Sequence, residues 1–178
     1  MLSLEPILNT ATPEFSWAWA LYEEAFPVEE RRSLHQQRNL LGNPAYQFAS
    51  ILYLDEFAGL FGIWHLPGVT FLEHFAILPN LRGKGVGQEA LQHLIKKSSP
   101  ISILEVEPPL TDTAKRRISF YERAGFHLNP FEYWQPPYEE NKPWVKLQLM
   151  SSPNFLKANE FEAMKGQLYK SVYLQDPT

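Results

Sequence analysis

The residues best suited to chemistry lie in a glycine-rich segment between a predicted strand and a predicted helix. From Arg82 to Gly87 the chain reads Arg-Gly-Lys-Gly-Val-Gly. Glycines let a ligand approach the backbone closely, and the free N–H groups at a helix start bind phosphate with help from the helix dipole. Arg82 and Lys84 add positive charge there. We therefore predict a phosphate site for a nucleotide-containing cofactor, with an ordinary loop–helix junction as the simpler alternative.

A dinucleotide fingerprint is the first rival interpretation of this segment. Residues 85–90 fit the pattern G-x-G-x-x-A, and Glu105 ends the next predicted strand about 20 residues on, where a ribose-binding acid is expected. Seven residues, Leu78 to Lys84, nevertheless separate the preceding strand from the first glycine of the pattern. The elements upstream also resemble antiparallel hairpins, and the chain downstream is too short for a doubly wound sheet.

A family resemblance explains more of the same residues. The run ILPNLRGKGVG, from Ile77, resembles the acetyl-CoA loop of the GNAT superfamily of N-acetyltransferases, whose core pattern is Arg/Gln-x-x-Gly-x-Gly/Ala. FYERAGF, residues 120–126, resembles a second family segment, and LEV, residues 104–106, resembles the fifth strand of the family. The resemblance covers roughly residues 45–126. It implies transfer of an acetyl group from acetyl-CoA to a primary amine of a small molecule or peptide.

The resemblance also implies which residues bind the cofactor. A bulge in the fourth strand would free backbone groups that bind the pantetheine arm and polarise the thioester, and it falls on Phe75, Ala76 and Ile77. The pyrophosphate would be bound by the loop and the first turn of the helix, that is by Arg82, Gly83, Lys84, Gly85, Val86, Gly87 and Gln88.

Acetyl transfer needs a neutral amine, a stabilised carbonyl oxygen and a protonated thiolate leaving group. Tyr121 matches the family tyrosine that donates a proton to the thiolate, with a packing role as the alternative. Glu105 is the first candidate for the base, and Glu73, His74 and Glu107 are the others. Because the chain has no cysteine, we expect direct transfer in a ternary complex, without a metal.

The chain departs from the family pattern in three places. Ala114 stands where the family often has a cofactor-contacting Asn, and Arg117 stands where it often has Ala. Pro108 and Pro109 interrupt a long link between the fifth strand and the following helix. The wall of the site near that strand is therefore unusual, and the identity of the acceptor stays open.

Periodicity and turn residues predict the elements that position these groups. Helices are expected from Pro13, with Thr12 as the cap, to the stop at Pro27, and over Glu29–Leu41, Gly85–Lys97, Asp112–Ala124 and about 159–172. Strands are expected over Tyr46–Leu54, Phe57–His65, Val69–Ile77, Ile101–Val106, Phe126–Trp134 and Trp144–Met150. This order predicts one α+β domain with a mixed sheet over residues 1–178, and the resemblance implies a GNAT-like, mostly antiparallel central sheet flanked by helices.

Composition limits the class of protein and its partners. The absence of cysteine excludes disulfides, zinc–thiolate sites and acyl-cysteine intermediates. A net charge of −4 argues against nucleic acid as a partner, and no apolar run approaches the ~20 residues of a membrane span. We expect a cytoplasmic monomer or homodimer. The alternatives are a non-catalytic acyl-CoA-binding module and a dinucleotide-binding oxidoreductase.

Overall fold

The computed structural model describes residues 1–176, and the chain divides into two compact units. The first unit is Met1–Pro100 and the second begins at Ile101. Strands and helices alternate in both units, which confirms the predicted α+β class. Within the described residues, no helix combines the length and apolar character needed to cross a bilayer.

The first unit is built on a meander of four antiparallel strands. In chain order its elements are β1 (Leu2–Pro6), α1 (Pro13–Ala25), α2 (Leu34–Leu40), β2 (Tyr46–Tyr53), β3 (Glu56–Leu66), β4 (Val69–Ile77) and α3 (Val86–Lys96). Each of β1, β2 and β3 pairs with the next strand in antiparallel register. The β2–β3 link is Leu54-Asp55, with both residues at positive φ, and the β3–β4 link is Pro67-Gly68. Both predicted hairpins are therefore confirmed.

Two helices of this unit begin where the sequence predicts. Thr12 caps α1, since its hydroxyl accepts a hydrogen bond from the Phe15 N–H at 3.3 Å. The buried residues of α1 include Phe15, Ala18 and Leu21, which face the sheet at helical spacing. Gly85 caps α3 in a left-handed conformation, so the glycine-rich segment does join β4 to a helix.

The second unit is organised around its longest strand. Its elements are β5 (Ile101–Val106), α4 (Asp112–Arg123), β6 (His127–Leu128), β7 (Tyr133–Gln135), β8 (Val145–Ser152) and α5 (Ala158–Ser171). Strand β8 pairs antiparallel with β5, β6 and β7. Gly125 follows α4 at φ 94°, as expected for a glycine that ends a helix.

The predicted elements differ from the observed ones at four places. The sequence interpretation missed β1, and the second helix begins at Leu34 rather than Glu29, after a short 3₁₀ turn. The single strand expected over 126–134 is two short strands, β6 and β7, separated by irregular chain. The final helix begins at Ala158, where the Glu160 carboxylate accepts a hydrogen bond from the Lys157 N–H.

Candidate active site

The loop before α3 has the backbone form that an anion site requires. Gly83 and Gly85 lie at φ 73° and 86°, a region that L side chains rarely adopt. The first hydrogen bond of α3 runs from the Glu89 N–H to the Gly85 carbonyl at 3.0 Å. The N–H groups of Val86 and Gly87 precede that bond, so they have no acceptor within the helix.

Charge and open space complete this loop. Arg82 and Lys84 are exposed, and the Arg82 Nε donates to the Ile77 carbonyl at 2.9 Å, which ties the side chain to the end of β4. A Cβ added to Gly83 or Gly85 would meet no atom within 4 Å. The glycines therefore serve the backbone conformation and leave the loop accessible to a bulky anion.

The irregularity in β4 lies two residues earlier than expected. Gly62 of β3 pairs with His74 and Ile63 pairs with Leu72, so Glu73 is the extra residue. The sequence interpretation placed the bulge at 75–77, which instead pair regularly with 59–61 on β3. Gly59 allows this close approach, because a Cβ there would lie 2.3 Å from the Ala76 carbonyl oxygen.

The bulge directs Glu73 into a buried ion pair. The Arg32 Nη1 lies 2.7 Å and 2.5 Å from the two carboxylate oxygens of Glu73, and the Trp64 Nε1 donates to the same carboxylate at 2.7 Å. The exposed fractions of the Arg32 and Glu73 side chains are 6% and 0%. Arg32 is held in turn by its own N–H, which donates to the Tyr22 hydroxyl at 2.7 Å.

This environment stabilises the ionised form of Glu73. Burial alone would raise the pKa of its carboxyl, but the Arg32 charge and the hydrogen bonds lower the pKa below its ordinary value. A carboxylate with a lowered pKa and an engaged guanidinium is a weak proton acceptor. Glu73 therefore has the features of a structural ion pair.

His74 occupies a buried position beside this pair. Its Nε2 lies 2.8 Å from the Glu30 carbonyl oxygen, to which it donates, and its ring packs edge-on against Tyr22 and Phe26. Burial lowers the pKa of the imidazole, and this effect outweighs the opposing influence of Glu73. His74 is therefore a neutral, packed side chain in this structure.

In the second unit, Glu105 lies at the centre of a hydrogen-bonded cluster. Its carboxylate accepts from the Tyr133 hydroxyl at 2.5 Å, from the Gln135 Nε2 at 2.8 Å and from the Tyr173 hydroxyl at 2.8 Å and 2.9 Å. All three partners are neutral donors, a set that suits an ionised carboxylate. Burial, followed by the Glu105 charge, raises the pKa of Tyr133 well above its ordinary value.

Tyr121 lies on the buried face of α4. Its ring packs edge-on against Phe120 and Phe126, with centroid separations of 5.2 Å and 6.0 Å. Burial raises the pKa of the phenol to about 12, despite the opposing charge of Arg117. The hydroxyl therefore stays protonated at neutral pH, as a proton donor must. The unusual Ala114 is buried on the same helix.

The sequence interpretation missed the partners of both candidate acids. Arg32 and Trp64 bind Glu73, and Tyr133, Gln135 and Tyr173 bind Glu105. The only local signal was the spacing Tyr133-x-Gln135, which places two side chains on one face of a strand. Trp64 lies nine residues from Glu73 on the neighbouring strand of the same hairpin. Arg32 and Tyr173 are 41 and 68 residues from their carboxylates, so no local pattern could have identified them.

Comparison with known proteins assigns the class. The sequence pattern of the Acetyltransferase (GNAT) family matches residues 12–126. A Bacillus subtilis (strain 168) protein named "Putative acetyltransferase YjbC" is 31% identical over 161 residues, which cover 84% of this chain and 78% of that protein.

Solved structures agree with the sequence comparison. A structure described as "Putative acetyltransferase from GNAT family from Bacteroides thetaiotaomicron" is similar at TM-score 0.90 and 34% identity, covering 96% of this chain and 98% of that one. A GNAT family acetyltransferase from Elizabethkingia anophelis, solved with acetyl-CoA bound, shares the fold at TM-score 0.57 and 14% identity, over 84% and 96% of the two chains.

The chain therefore belongs to the GNAT family of acetyltransferases. The predicted family, the fold class and the assignment as an acyltransferase are confirmed. The dinucleotide interpretation of residues 85–90 is set aside, because the same loop lies inside the matched segment.

Proposed function

We propose that this protein transfers the acetyl group of acetyl-CoA directly to a primary amine of a small molecule or peptide in a ternary complex. The observation that carries the proposal is the loop 82–87, with two positive-φ glycines, two exposed cations and the start of α3. Backbone N–H groups and Arg or Lys side chains are the donors that pyrophosphate requires.

The loop has the features of a pyrophosphate site. Gly83 and Gly85 leave open space, the N–H groups of Val86 and Gly87 supply donors, and Arg82 and Lys84 supply charge. Gln88, half-buried in the first turn of α3, completes the set. The pantetheine role of the Phe75, Ala76 and Ile77 backbone rests on the resemblance alone, since these residues pair regularly with β3 and the bulge lies at Glu73.

Tyr121 is the proposed acid. In the reaction the amine nitrogen forms a bond to the thioester carbonyl carbon, and the carbon–sulfur bond breaks to release a thiolate. The phenol is protonated at neutral pH, and burial raises its pKa to about 12, which makes it a weaker acid than an exposed phenol. Its proposed role is to give its proton to the sulfur as the carbon–sulfur bond breaks, which converts the thiolate to the thiol.

Glu105 is the proposed base, in preference to Glu73 and His74, with Glu107 as the alternative. Glu73 is engaged by Arg32, and His74 is buried against two aromatic rings. Glu105 is half-buried and bears two phenolic partners. A phenol can accept a proton while donating its own to a carboxylate, so the amine proton can reach Glu105 by relay.

Calorimetric titration with acetyl-CoA tests the proposal, with NAD and FAD as parallel controls. We expect binding of acetyl-CoA alone, followed by acetylation of at least one member of a panel of small-molecule and peptide amines. A folded sample that does not bind acetyl-CoA would overturn the cofactor assignment. Binding without turnover across the panel would favour an acyl-CoA-binding module, and a covalent acetyl-enzyme on the route to product would refute direct transfer.

A further inference from the structure

A groove of about 1070 Å³ lies within the first unit, and none of the residues assigned to acetyl transfer lines it. One face of α1, the end of β1 and the β2–β3 turn form its walls. Neither the loop 82–87 nor Glu73 or His74 lines it. The groove is therefore a separate concave surface whose chemistry is not used by the proposed reaction.

The charge of the groove is of one sign. Its lining residues, all within the described part of the chain, include no lysine or arginine but five exposed carboxylates, Glu5, Glu14, Glu24, Asp55 and Glu56. A cleft with one sign of charge between apolar walls concentrates the field and attracts the opposite ion. The groove therefore favours a cation.

Aromatic side chains show which kind of cation fits. Trp17 is 51% exposed on the wall of the groove, and its ring centroid lies 6.1 Å from that of Phe57, which also lines it. Ile7 and Leu21 add buried apolar surface. An organic ammonium gains from both the aromatic faces and the apolar wall, whereas an inorganic ion gains little from either.

A buried hydroxyl gives an independent indication of a ligand. Ser50 lines the groove and is 0% exposed, and its Oγ has no hydrogen-bond partner among the described residues. Buried hydroxyls in folded proteins almost always have a partner. An N–H group of a ligand would supply it, so the buried hydroxyl and the acidic rim indicate the same chemistry.

We propose that this groove is a second ligand site, which binds an organic ammonium compound with an apolar body against Trp17 and an N–H group donated to Ser50 Oγ. Leu78 lines the groove and precedes Arg82 by four residues in the chain, so the groove ends before the cofactor loop begins.

Amide NMR spectra recorded without acetyl-CoA test the proposal. The probe is 2-phenylethylamine, which is an ammonium ion at neutral pH, and the matched control is 3-phenylpropionate, which carries a similar apolar body and the opposite charge. We expect the amine to shift the Trp17 indole resonance and the amides of 55–57, and the carboxylate to leave them unchanged. Equal shifts with both probes, or none, would overturn the proposal.

Variants separate this site from the acetyl-acceptor site. Each exposed carboxylate should contribute only modestly to amine binding. The triple change Glu14→Gln, Asp55→Asn, Glu56→Gln removes three of them together and should weaken binding by about tenfold or more. Ser50→Ala should weaken it several-fold. The control pair Glu122→Gln, Glu140→Gln removes exposed charges outside the groove and should change nothing.

Two results would contradict the second site. One is unchanged amine binding by the triple variant, and the other is a set of shifts confined to 73–77 and Tyr121, which would show the amine acting only as an acceptor. Titration of the same samples with acetyl-CoA keeps the two proposals distinguishable. If the groove does not bind the amine, acetyl-CoA should still bind. If acetyl-CoA does not bind, the amine should still shift the resonances of the groove residues.

Discussion

The Tyr173 hydroxyl lies 2.8 Å and 2.9 Å from the two carboxylate oxygens of Glu105. Tyr173 follows the last helix, and Glu105 lies on β5. The Gln135 Nε2 donates both to Glu105 and, at 3.1 Å, to the Tyr173 hydroxyl. The proposed base is therefore fixed in place by the end of the chain's final helix.

Removing this one hydroxyl tests the positioning role of Tyr173. Tyr173→Phe keeps the ring but withdraws a donor from a carboxylate, so we expect the free energy of unfolding to fall by about 1–3 kcal/mol. We also expect kcat to fall by about tenfold with KM for acetyl-CoA unchanged, because the base loses its orientation. Denaturant unfolding and steady-state kinetics measure these two effects. Tyr53→Phe, a half-buried tyrosine of β2, is the control, and equal losses in both variants would contradict the role.

Substitutions at Glu73 and Glu105 distinguish a role in stability from a role in catalysis. Glu73→Gln leaves the buried Arg32 without its counter-charge, so the free energy of unfolding should fall by about 3–5 kcal/mol. If the pair is structural, activity per folded molecule should fall less than about tenfold. Compared with Glu73→Gln, Glu105→Gln should lower the free energy of unfolding less and kcat more. A large kcat loss confined to Glu73→Gln would make Glu73 the base.

A second variant tests the ion pair even if Glu73→Gln does not fold. Arg32→Met combined with Glu73→Leu replaces the ion pair with apolar side chains of similar length, and such replacements are often close to neutral. We expect the double variant to recover most of the stability lost in Glu73→Gln. Chemical denaturation of the parent, the double variant and the single variants Arg32→Met and Glu73→Leu completes the comparison, and strict additivity would show that the two side chains are uncoupled.

Local sequence signals predicted the elements that hold the cofactor loop, because each signal acts on residues that are its neighbours in the chain. The cap at Thr12, the turn at Pro67-Gly68 and the glycines at 83 and 85 each act within a few residues. The family resemblance then predicted that the loop binds the cofactor. These features needed no knowledge of the tertiary fold.

The features that the sequence did not reveal depend on tertiary contacts. Strand β1 is five residues long and is defined by its pairing with β2. The backbone is extended at Arg31 and Ser33, which interrupts the expected second helix, and Arg32 between them contacts Glu73, forty-one residues away. Asn129 breaks the expected strand by bonding to the Leu149 carbonyl and the Ser151 hydroxyl at 3.2 Å and 2.9 Å.

Two glycines with similar geometry make a controlled test of the cofactor loop. Gly85 and Gly68 lie at φ 86° and 75°, and an added Cβ at either would meet no atom within 4 Å. Alanine at each position should cost about 1–2 kcal/mol of stability, from backbone strain alone. We expect only Gly85→Ala to weaken acetyl-CoA binding, by about tenfold or more in calorimetry, because of these two glycines only Gly85 lies in the proposed anion site. Equal affinities for both variants would show that the loop does not bind the cofactor.

Tyr121→Phe tests the proposed acid through both kinetics and pH. Loss of a general acid should lower kcat by about 10²–10⁴-fold with little change in KM, and an unchanged kcat would leave Tyr121 a packing residue.

Because burial raises the pKa of the phenol from 10.0 to about 12, the folded state favours the neutral form. Its contribution to stability is complete below pH 10 and is lost as the pH rises towards 12. The free energy of unfolding of the parent protein should therefore decrease more steeply over pH 10–12 than that of Tyr121→Phe, by up to about 1.4 kcal/mol per pH unit. The other buried tyrosines are present in both proteins, so the difference between the two curves isolates Tyr121, and parallel curves would contradict its burial as a neutral phenol.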